Sequence, residues 1–263
     1  MTDTKASKTQ SAIVTGASRG LGRGIAQALA AKNFRVIALA RDAAELRATA
    51  EELEVEPVVA DVADPLTSGR LLQEVQPDLL VLCAGALPLL RPLHLHSWET
   101  FSENWGIDAK ATFNWVRDAL LLPMKPGSHV IIISSIAAIL GSPLSGSYAG
   151  AKRMQWLIAD YASQEAARLQ LGIRFQCLLP TLNPNTNFGR ATMAAYALRA
   201  GVSLGEFAKR FDPALTPAII GQAVVDLYEN PSHRDGLVYR VSADGLVPLD
   251  QIPELKAFAH AGA

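Results

Sequence analysis

The chain has 263 residues, of which 49% are hydrophobic and 19% charged, a composition that excludes a mostly disordered protein and suits one large α/β domain. Its 24 basic and 25 acidic side chains leave a net charge of −1, so it lacks the basic field that binds nucleic acid. The longest apolar runs have only the length of strands, so we expect no contact with a membrane interior. Cys83 and Cys177 show no metal-ligand spacing and predict buried thiols in a reducing compartment, the cytoplasm.

Residues 1–10 are polar and predict a disordered tail before a single domain over residues 11–263. Apolar β-rich runs alternate with helix-compatible stretches through that domain, and most runs are continuously apolar. This order predicts a doubly wound Rossmann-type α/β fold, with about seven parallel strands flanked by helices on both faces. The predicted strands are residues 12–15, 35–39, 57–60, 78–82, 129–133, 173–178 and 237–241. The predicted helices are residues 21–32, 43–54, 65–75, 98–122, 148–171 and 217–228.

Residues 181–212 depart from this pattern, because a proline, glycines and asparagines interrupt any strand. We expect a lid there, made of a loop with one or two short helices above the sheet. Its large apolar side chains suggest an apolar or bulky substrate. They are Phe188, Met193, Tyr196, Phe207 and Phe211.

A glycine-rich turn follows the first predicted strand and leads into the first helix. Such a turn lets the backbone approach a pyrophosphate at a helix N-terminus. The glycine spacing differs from G-x-G-x-x-G, so a plain turn is the alternative. The residues expected to contact a dinucleotide here are Gly16, Ser18, Arg19, Gly20, Leu21 and Gly22.

The end of the second strand, Ala40-Arg41-Asp42, should contact the adenosine ribose. Arg41 and Arg19 would supply two guanidinium groups suited to a 2′-phosphate, which favours NADP(H) over NAD(H). The alternatives are that both arginines are solvated, or that Asp42 binds the ribose of NAD.

Tyr148 and Lys152 stand four residues apart at the start of a predicted helix, which places both on one face. Ser135 follows the preceding strand. A phenol has a pKa of ~10, and one positive charge at ~5 Å supplies roughly 3 kcal/mol toward lowering it. Lys152 together with an oxidised nicotinamide would therefore make Tyr148 a usable acid/base, with Ser135 binding the substrate oxygen. The alternatives are a helix-capping serine and a half-buried tyrosine.

Taken together, these motifs resemble the short-chain dehydrogenase/reductase family over about residues 11–246. In that family Tyr is the acid/base, Lys binds the nicotinamide ribose and Ser holds the substrate oxygen, which implies these roles for Tyr148, Lys152 and Ser135. The resemblance also implies cofactor contacts at Asp61, Val62, Ala84, Gly85, Pro180 and Thr181.

The chain departs from the family pattern at three places. Cys83 stands where the family has Asn, and Thr181 where it has Gly. Counting five residues back from Phe113 gives Asp108 where the family has its fourth catalytic residue, an Asn, while Asn104 lies four residues further upstream. A carboxylate accepts the same hydrogen bonds but donates none unless it is protonated.

Parallel strands gather their C-terminal ends at one edge of the sheet, where ligands bind. The candidate residues that follow predicted strand ends are Gly16, Arg41, Asp61, Gly85, Ser135 and Pro180. We therefore predict an NADP(H)-dependent oxidoreductase whose small-molecule substrate is a carbonyl compound or secondary alcohol. The alternative is a non-catalytic NADP(H)-binding sensor or scaffold. A nucleotide-sugar epimerase is disfavoured, because no sizeable substrate domain follows the seventh strand. No metal is expected, and residues 98–122 and 148–171 are expected to form a homodimer or homotetramer.

Overall fold

Eight strands form one sheet in the computed structural model, which describes residues 10–184 and 186–252. Their order across the sheet is β3-β2-β1-β4-β5-β6-β7-β8, and neighbouring strands are parallel except β7 and β8. All seven predicted strands are present within two residues of the expected bounds, so the predicted fold class is confirmed. The predicted tail lies, except for Gln10, outside the described residues. The strands are β1 Ser11–Thr15, β2 Arg35–Ala40, β3 Glu56–Val59, β4 Leu79–Leu82, β5 His129–Ile133, β6 Arg174–Pro180, β7 Val238–Ser242 and β8 Gly245–Pro248.

Helices cover both faces of this sheet, which explains the continuous apolar strands. Ile13 of β1 packs into one core with Trp115 and Trp156. The next residue, Val14, packs into the opposite core with Ile25. The helices are α1 Gly20–Ala31, α2 Ala43–Leu53, α3 Pro65–Val75, α4 Trp98–Asn104, α5 Lys110–Leu121, α6 Ala137–Leu140, α7 Tyr148–Arg168, α8 Asn187–Ala200, α9 Leu204–Ala208 and α10 Pro217–Glu229. In the part of the chain that the structure describes, no helix combines the length and apolar character needed to cross a membrane.

The predicted helix over residues 98–122 is divided in the structure. A π-helical turn, Trp105–Ala109, separates α4 from α5. Such a turn inserts a residue into the helical hydrogen-bond ladder and changes the direction in which the following side chains project. Asp108 lies in this turn and is fully buried, so the interruption falls on a candidate site residue.

The region predicted as a lid contains α8 and α9. Met193, Ala197 and Phe207 form a small apolar cluster there, separate from the two cores of the sheet. Thr186 caps α8 by accepting a hydrogen bond from Gly189 N at 3.0 Å. The first of these helices has 14 residues and is longer than the short helices expected from the sequence.

Candidate active site

A cleft of about 1090 Å³ opens at the C-terminal edge of the parallel strands. It runs from the glycine-rich turn to the lid, and the predicted site residues line it with a single exception. Those that line it are Gly16, Ser18, Arg19, Gly20, Leu21, Gly22, Arg41, Val62, Ala84, Gly85, Asp108, Ser135, Tyr148, Lys152, Pro180 and Thr181. The exception is Asp61, which is exposed and accepts a hydrogen bond from Ala63 N at 2.9 Å. A cofactor contact at Asp61 therefore stays a prediction.

The glycine-rich turn packs against the end of β4. Thr15 Oγ1 accepts hydrogen bonds from Cys83 N at 2.9 Å and from Ala84 N at 3.1 Å. Gly16 adopts a φ of +69°, and a Cβ added there would stand 2.8 Å from Ala84 Cα. Only glycine fits this close approach of two backbone segments.

The helix that follows this turn has no side-chain cap at its N-terminus. By contrast, Asp42 caps α2 by accepting hydrogen bonds from Ala44 N and Glu45 N, each at 3.0 Å. Among the described residues, no side chain accepts from the first N–H groups of α1, which suit an anion. Because Asp42 already serves as a cap, one of its carboxylate oxygens is occupied and less suited to bind a ribose.

Glu45 is a residue of the cleft that the sequence analysis missed. Its carboxylate lies 3.1 Å from Arg19 Nη1, and Ser18 Oγ donates to it at 3.4 Å. Arg41 lines the same end of the cleft and is exposed. The position of Glu45 one turn into α2 was a possible signal, because the first turn of that helix borders the adenosine end of such clefts.

Tyr148 and Lys152 are both buried at the start of α7. Lys152 Nζ lies 5.5 Å from the centre of the Tyr148 ring, which also packs 5.3 Å from the ring of Phe188. Ser135 Oγ accepts a hydrogen bond from Ala137 N at 3.2 Å, and the Ser135 hydroxyl lies beside Tyr148, whose pKa it lowers. The structure thus brings Ser135, Tyr148 and Lys152 together.

Burial raises the pKa of Tyr148, and the nearby charge of Lys152 and the hydrogen bond from Ser135 lower it. The negative charge of Asp108 raises it further, and the net direction is upward. In the protein alone, the effect of burial on the Tyr148 pKa therefore outweighs the decrease expected from the charge of Lys152. The phenol keeps its proton at neutral pH.

Lys152 forms a buried ion pair with Asp108, with 3.3 Å between Nζ and Oδ2. Burial lowers the pKa of Lys152, but the charges of Asp108 and Tyr148 raise it, and the net direction is upward. Lys152 Nζ also donates to Ile133 O at 3.4 Å. The ammonium therefore stays charged beside the phenol.

The π-helical turn positions Asp108 through the loop after β4. Ala86 N donates to Asp108 Oδ1 at 2.7 Å, and Asn104 Nδ2 donates to Ala86 O at 3.0 Å. A Cβ on Gly85 would stand 2.9 Å from Asp108 Oδ2, so the carboxylate needs glycine there. Of the two candidates for the fourth position, Asp108 is the one paired with Lys152, and Asn104 holds the Ala86 carbonyl.

The other two departures from the family pattern also lie at the cleft. Burial raises the pKa of the Cys83 thiol to about 12, so this side chain is neutral at physiological pH. Thr181 N donates to Val241 O at 2.9 Å, which ties the segment after β6 to β7.

Comparison with known proteins gives a consistent result. A model of the short chain dehydrogenase family matches residues 10–195. L-xylulose reductase of Homo sapiens is 30% identical over 210 residues, which cover 75% of this chain and 82% of that protein. Carbonyl reductase (NADPH) 2 of Sus scrofa is 27% identical over 158 residues, covering 59% of this chain and 64% of that protein. Among solved structures, a variant of actinorhodin polyketide ketoreductase with NADPH superposes with a TM-score of 0.78 at 21% identity, covering 89% of this chain and 96% of that chain.

Proposed function

Because the chain belongs to the short-chain dehydrogenase family, we propose that it is an NADP(H)-dependent oxidoreductase acting on a carbonyl compound or secondary alcohol. The observation that carries this proposal is the juxtaposition of Ser135, Tyr148 and Lys152 in one cleft with the glycine-rich turn. Two relatives are named as reductases, and one of those names includes NADPH.

The residues of the cleft fit a nicotinamide dinucleotide. The uncapped N-terminus of α1 offers N–H groups to a pyrophosphate, and Gly16 lets the turn before this helix pack directly against Ala84 at the end of β4. Lys152 would bind the nicotinamide ribose, the role that its position four residues after Tyr148 has in the family. When bound, the cofactor supplies or accepts the hydride.

NADP(H) is favoured over NAD(H) by the charges at the adenosine end. Arg19 and Arg41 both line that end of the cleft and are suited to a 2′-phosphate. Asp42, the carboxylate best placed for a free ribose hydroxyl, already caps α2. Glu45 weakens this preference for NADP(H), because its carboxylate pairs with the Arg19 guanidinium.

In the reductive direction, Tyr148 donates its phenolic proton to the substrate oxygen. The raised pKa of this phenol keeps its proton available for transfer. Ser135 holds the substrate oxygen by a hydrogen bond. Lys152 stabilises the phenolate that remains. The ring of Phe188 packs against that of Tyr148, which is only 9% exposed, so little water reaches the phenol.

Asp108 keeps Lys152 protonated and in place by direct contact. We infer that Asp108 fills the fourth position and that Asn104 supports it by binding the Ala86 carbonyl. Because the carboxylate also raises the pKa of Tyr148, this arrangement favours a protonated phenol and hence reduction.

We also propose that the chain forms a homodimer or homotetramer through α5 and α7. Both helices expose large apolar side chains, namely Phe113, Leu121 and Tyr161. Burying such side chains against a second copy stabilises an assembly.

A screen of ketones and aldehydes for oxidation of NADPH tests the proposed activity. We expect turnover with NADPH for at least one carbonyl class and loss of turnover in Tyr148→Phe. Tight binding of NADPH with no turnover in any class would instead support the non-catalytic sensor or scaffold.

A further inference from the structure

Charge is distributed unevenly along the cleft. The charged side chains among its described lining residues lie at the adenosine end or in the pair beside Tyr148. They are Arg19, Arg41, Asp42, Glu45, Asp108 and Lys152. Arg210 contacts the ring of Phe207 at 4.9 Å but does not line the cleft.

The opposite end, which we call the substrate half, is aromatic and aliphatic. It lies between the segment after Ser135 and the lid, and its principal apolar lining residues are Ile136, Leu140, Phe188, Tyr196, Phe207 and Phe211. The Tyr196 and Phe207 rings stack with centres 6.5 Å apart, and Phe211 lies 5.7 Å from Phe207. Such a surface suits a planar or cyclic apolar group.

Among the described residues that line this part of the cleft, several polar side chains already have partners within the protein. Tyr196 OH lies 2.8 Å from Ser142 Oγ and accepts a hydrogen bond from Leu144 N at 3.2 Å. This pair ties the lid to the segment after β5. Thr192 also lines the cleft and its Oγ1 has no hydrogen-bond partner among the described residues, but the residue is only 8% exposed. A substrate with many hydroxyl groups would lose water there without gaining enough partners.

From these observations we propose that the substrate is an uncharged ketone bearing an aromatic or alicyclic ring, a proposal that rests on the reductase activity proposed above. A carboxylate or phosphate in the substrate half would be desolvated without a cation to balance it. A sugar would leave several hydroxyl groups unpaired. The substrate class therefore differs from the sugar named in the relative L-xylulose reductase.

The decisive comparison uses two ketones of the same shape that differ in charge. 4-Acetylbenzamide is uncharged, whereas 4-acetylbenzoate carries a carboxylate at the same place. With NADPH as the cofactor, we expect kcat/KM to be about a hundredfold higher for the amide because an unpaired carboxylate is costly to bury. L-xylulose, an uncharged polyol, should be reduced at least about a hundredfold less efficiently than the amide. A ratio of less than about threefold between amide and carboxylate, or a preference for L-xylulose, would overturn the proposal.

Comparing two variants with the same two ketones cancels the difference in intrinsic reactivity between those ketones. Leu140 lines the substrate half and is 69% exposed, so a longer polar side chain fits there without disturbing the fold. Leu140→Arg supplies the missing cation, and Leu140→Gln is the matched uncharged control. We expect Leu140→Arg to raise the carboxylate-to-amide ratio of kcat/KM about tenfold over Leu140→Gln. Equal ratios in the two variants would contradict the assignment of this end to the substrate.

Binding separates failure of this inference from failure of the proposed function. Titration of the NADPH complex with each ketone, followed by tryptophan fluorescence, reports affinity without turnover. Selective binding of the amide with no reduction would refute the reductase activity and support the apolar, uncharged substrate class assigned to the substrate half. Reduction of both ketones at equal efficiency would support the reductase and refute the inference. Binding of neither ketone would refute the inference.

Discussion

Replacing Asp108 with asparagine tests the electrostatics of the site most specifically, because it removes one charge and keeps the size of the side chain. Oδ2 lies 3.3 Å from Lys152 Nζ, which lies 5.5 Å from the Tyr148 ring centre. The carboxylate is therefore within about 9 Å of that ring centre, where a unit charge at an effective dielectric of ~20 is worth about 2 kcal/mol. Since Asp108 raises the pKa of Tyr148, removing it should lower that pKa by about one unit.

The assay is the pH dependence of alcohol oxidation by NADP⁺, because oxidation requires the phenolate. We expect Asp108→Asn to remain active and to shift the profile to lower pH. Asn104→Ala removes the hydrogen bond to Ala86 O and no charge, so we expect lower activity with an unshifted profile. A shift to higher pH would refute the reasoning, because it would mean that Lys152 loses its proton without Asp108. An unshifted profile in Asp108→Asn would assign the fourth position to Asn104.

Four further predictions concern the cofactor, a thiol and the assembly. In a fluorescence titration, NADPH should bind at least about tenfold more tightly than NADH, a difference of about 1.4 kcal/mol in binding free energy. Equal affinities would mean that Arg19 and Arg41 do not bind a 2′-phosphate. Glu45→Gln should raise the affinity for NADPH about threefold and leave that for NADH unchanged, because it frees the guanidinium of Arg19. Cys83 lines the cleft and is partly exposed, but desolvation raises the pKa of its thiol to about 12. It should therefore react slowly with iodoacetamide at neutral pH in the native protein, and rapid alkylation seen by mass spectrometry would contradict that raised pKa. Light scattering at micromolar concentration should show a dimer or tetramer, and a monomer would exclude the interface proposed for α5 and α7.

The sequence predicted the parallel sheet well because its central strands are continuous apolar runs. β1, β4 and β5 are buried along their whole length, so their composition reflects two covering layers of helices. The eighth strand, Gly245–Pro248, escaped prediction because it is a short edge strand. It pairs antiparallel with β7, and its residues are only partly buried, so it lacks the apolar signal of the others.

The site residues were predictable where a short sequence motif carries the chemistry, as at Tyr148 and Lys152. They were less predictable where contacts between distant parts of the chain determine which side chains meet. The π-helical turn at Trp105–Ala109 could not be predicted, because its hydrogen-bond pattern leaves no periodic trace in the sequence. The pairing of Asp108 with Lys152 depends on that turn and on Gly85. The contact between Glu45 and Arg19 joins side chains from two helix starts, which only the folded sheet brings together.

The central claim is that Tyr148 is the acid/base of a reduction that uses NADPH. Tyr148→Phe removes the phenolic hydroxyl and keeps the ring that packs on Phe188. The direct measurement is single-turnover oxidation of NADPH by an accepted ketone, made on the wild type and on this variant, together with the Kd for NADPH. We expect turnover to fall by at least about a thousandfold, within the range of a lost general acid, and the Kd to change less than twofold. Full turnover in Tyr148→Phe, with NADPH bound normally, would contradict the mechanism.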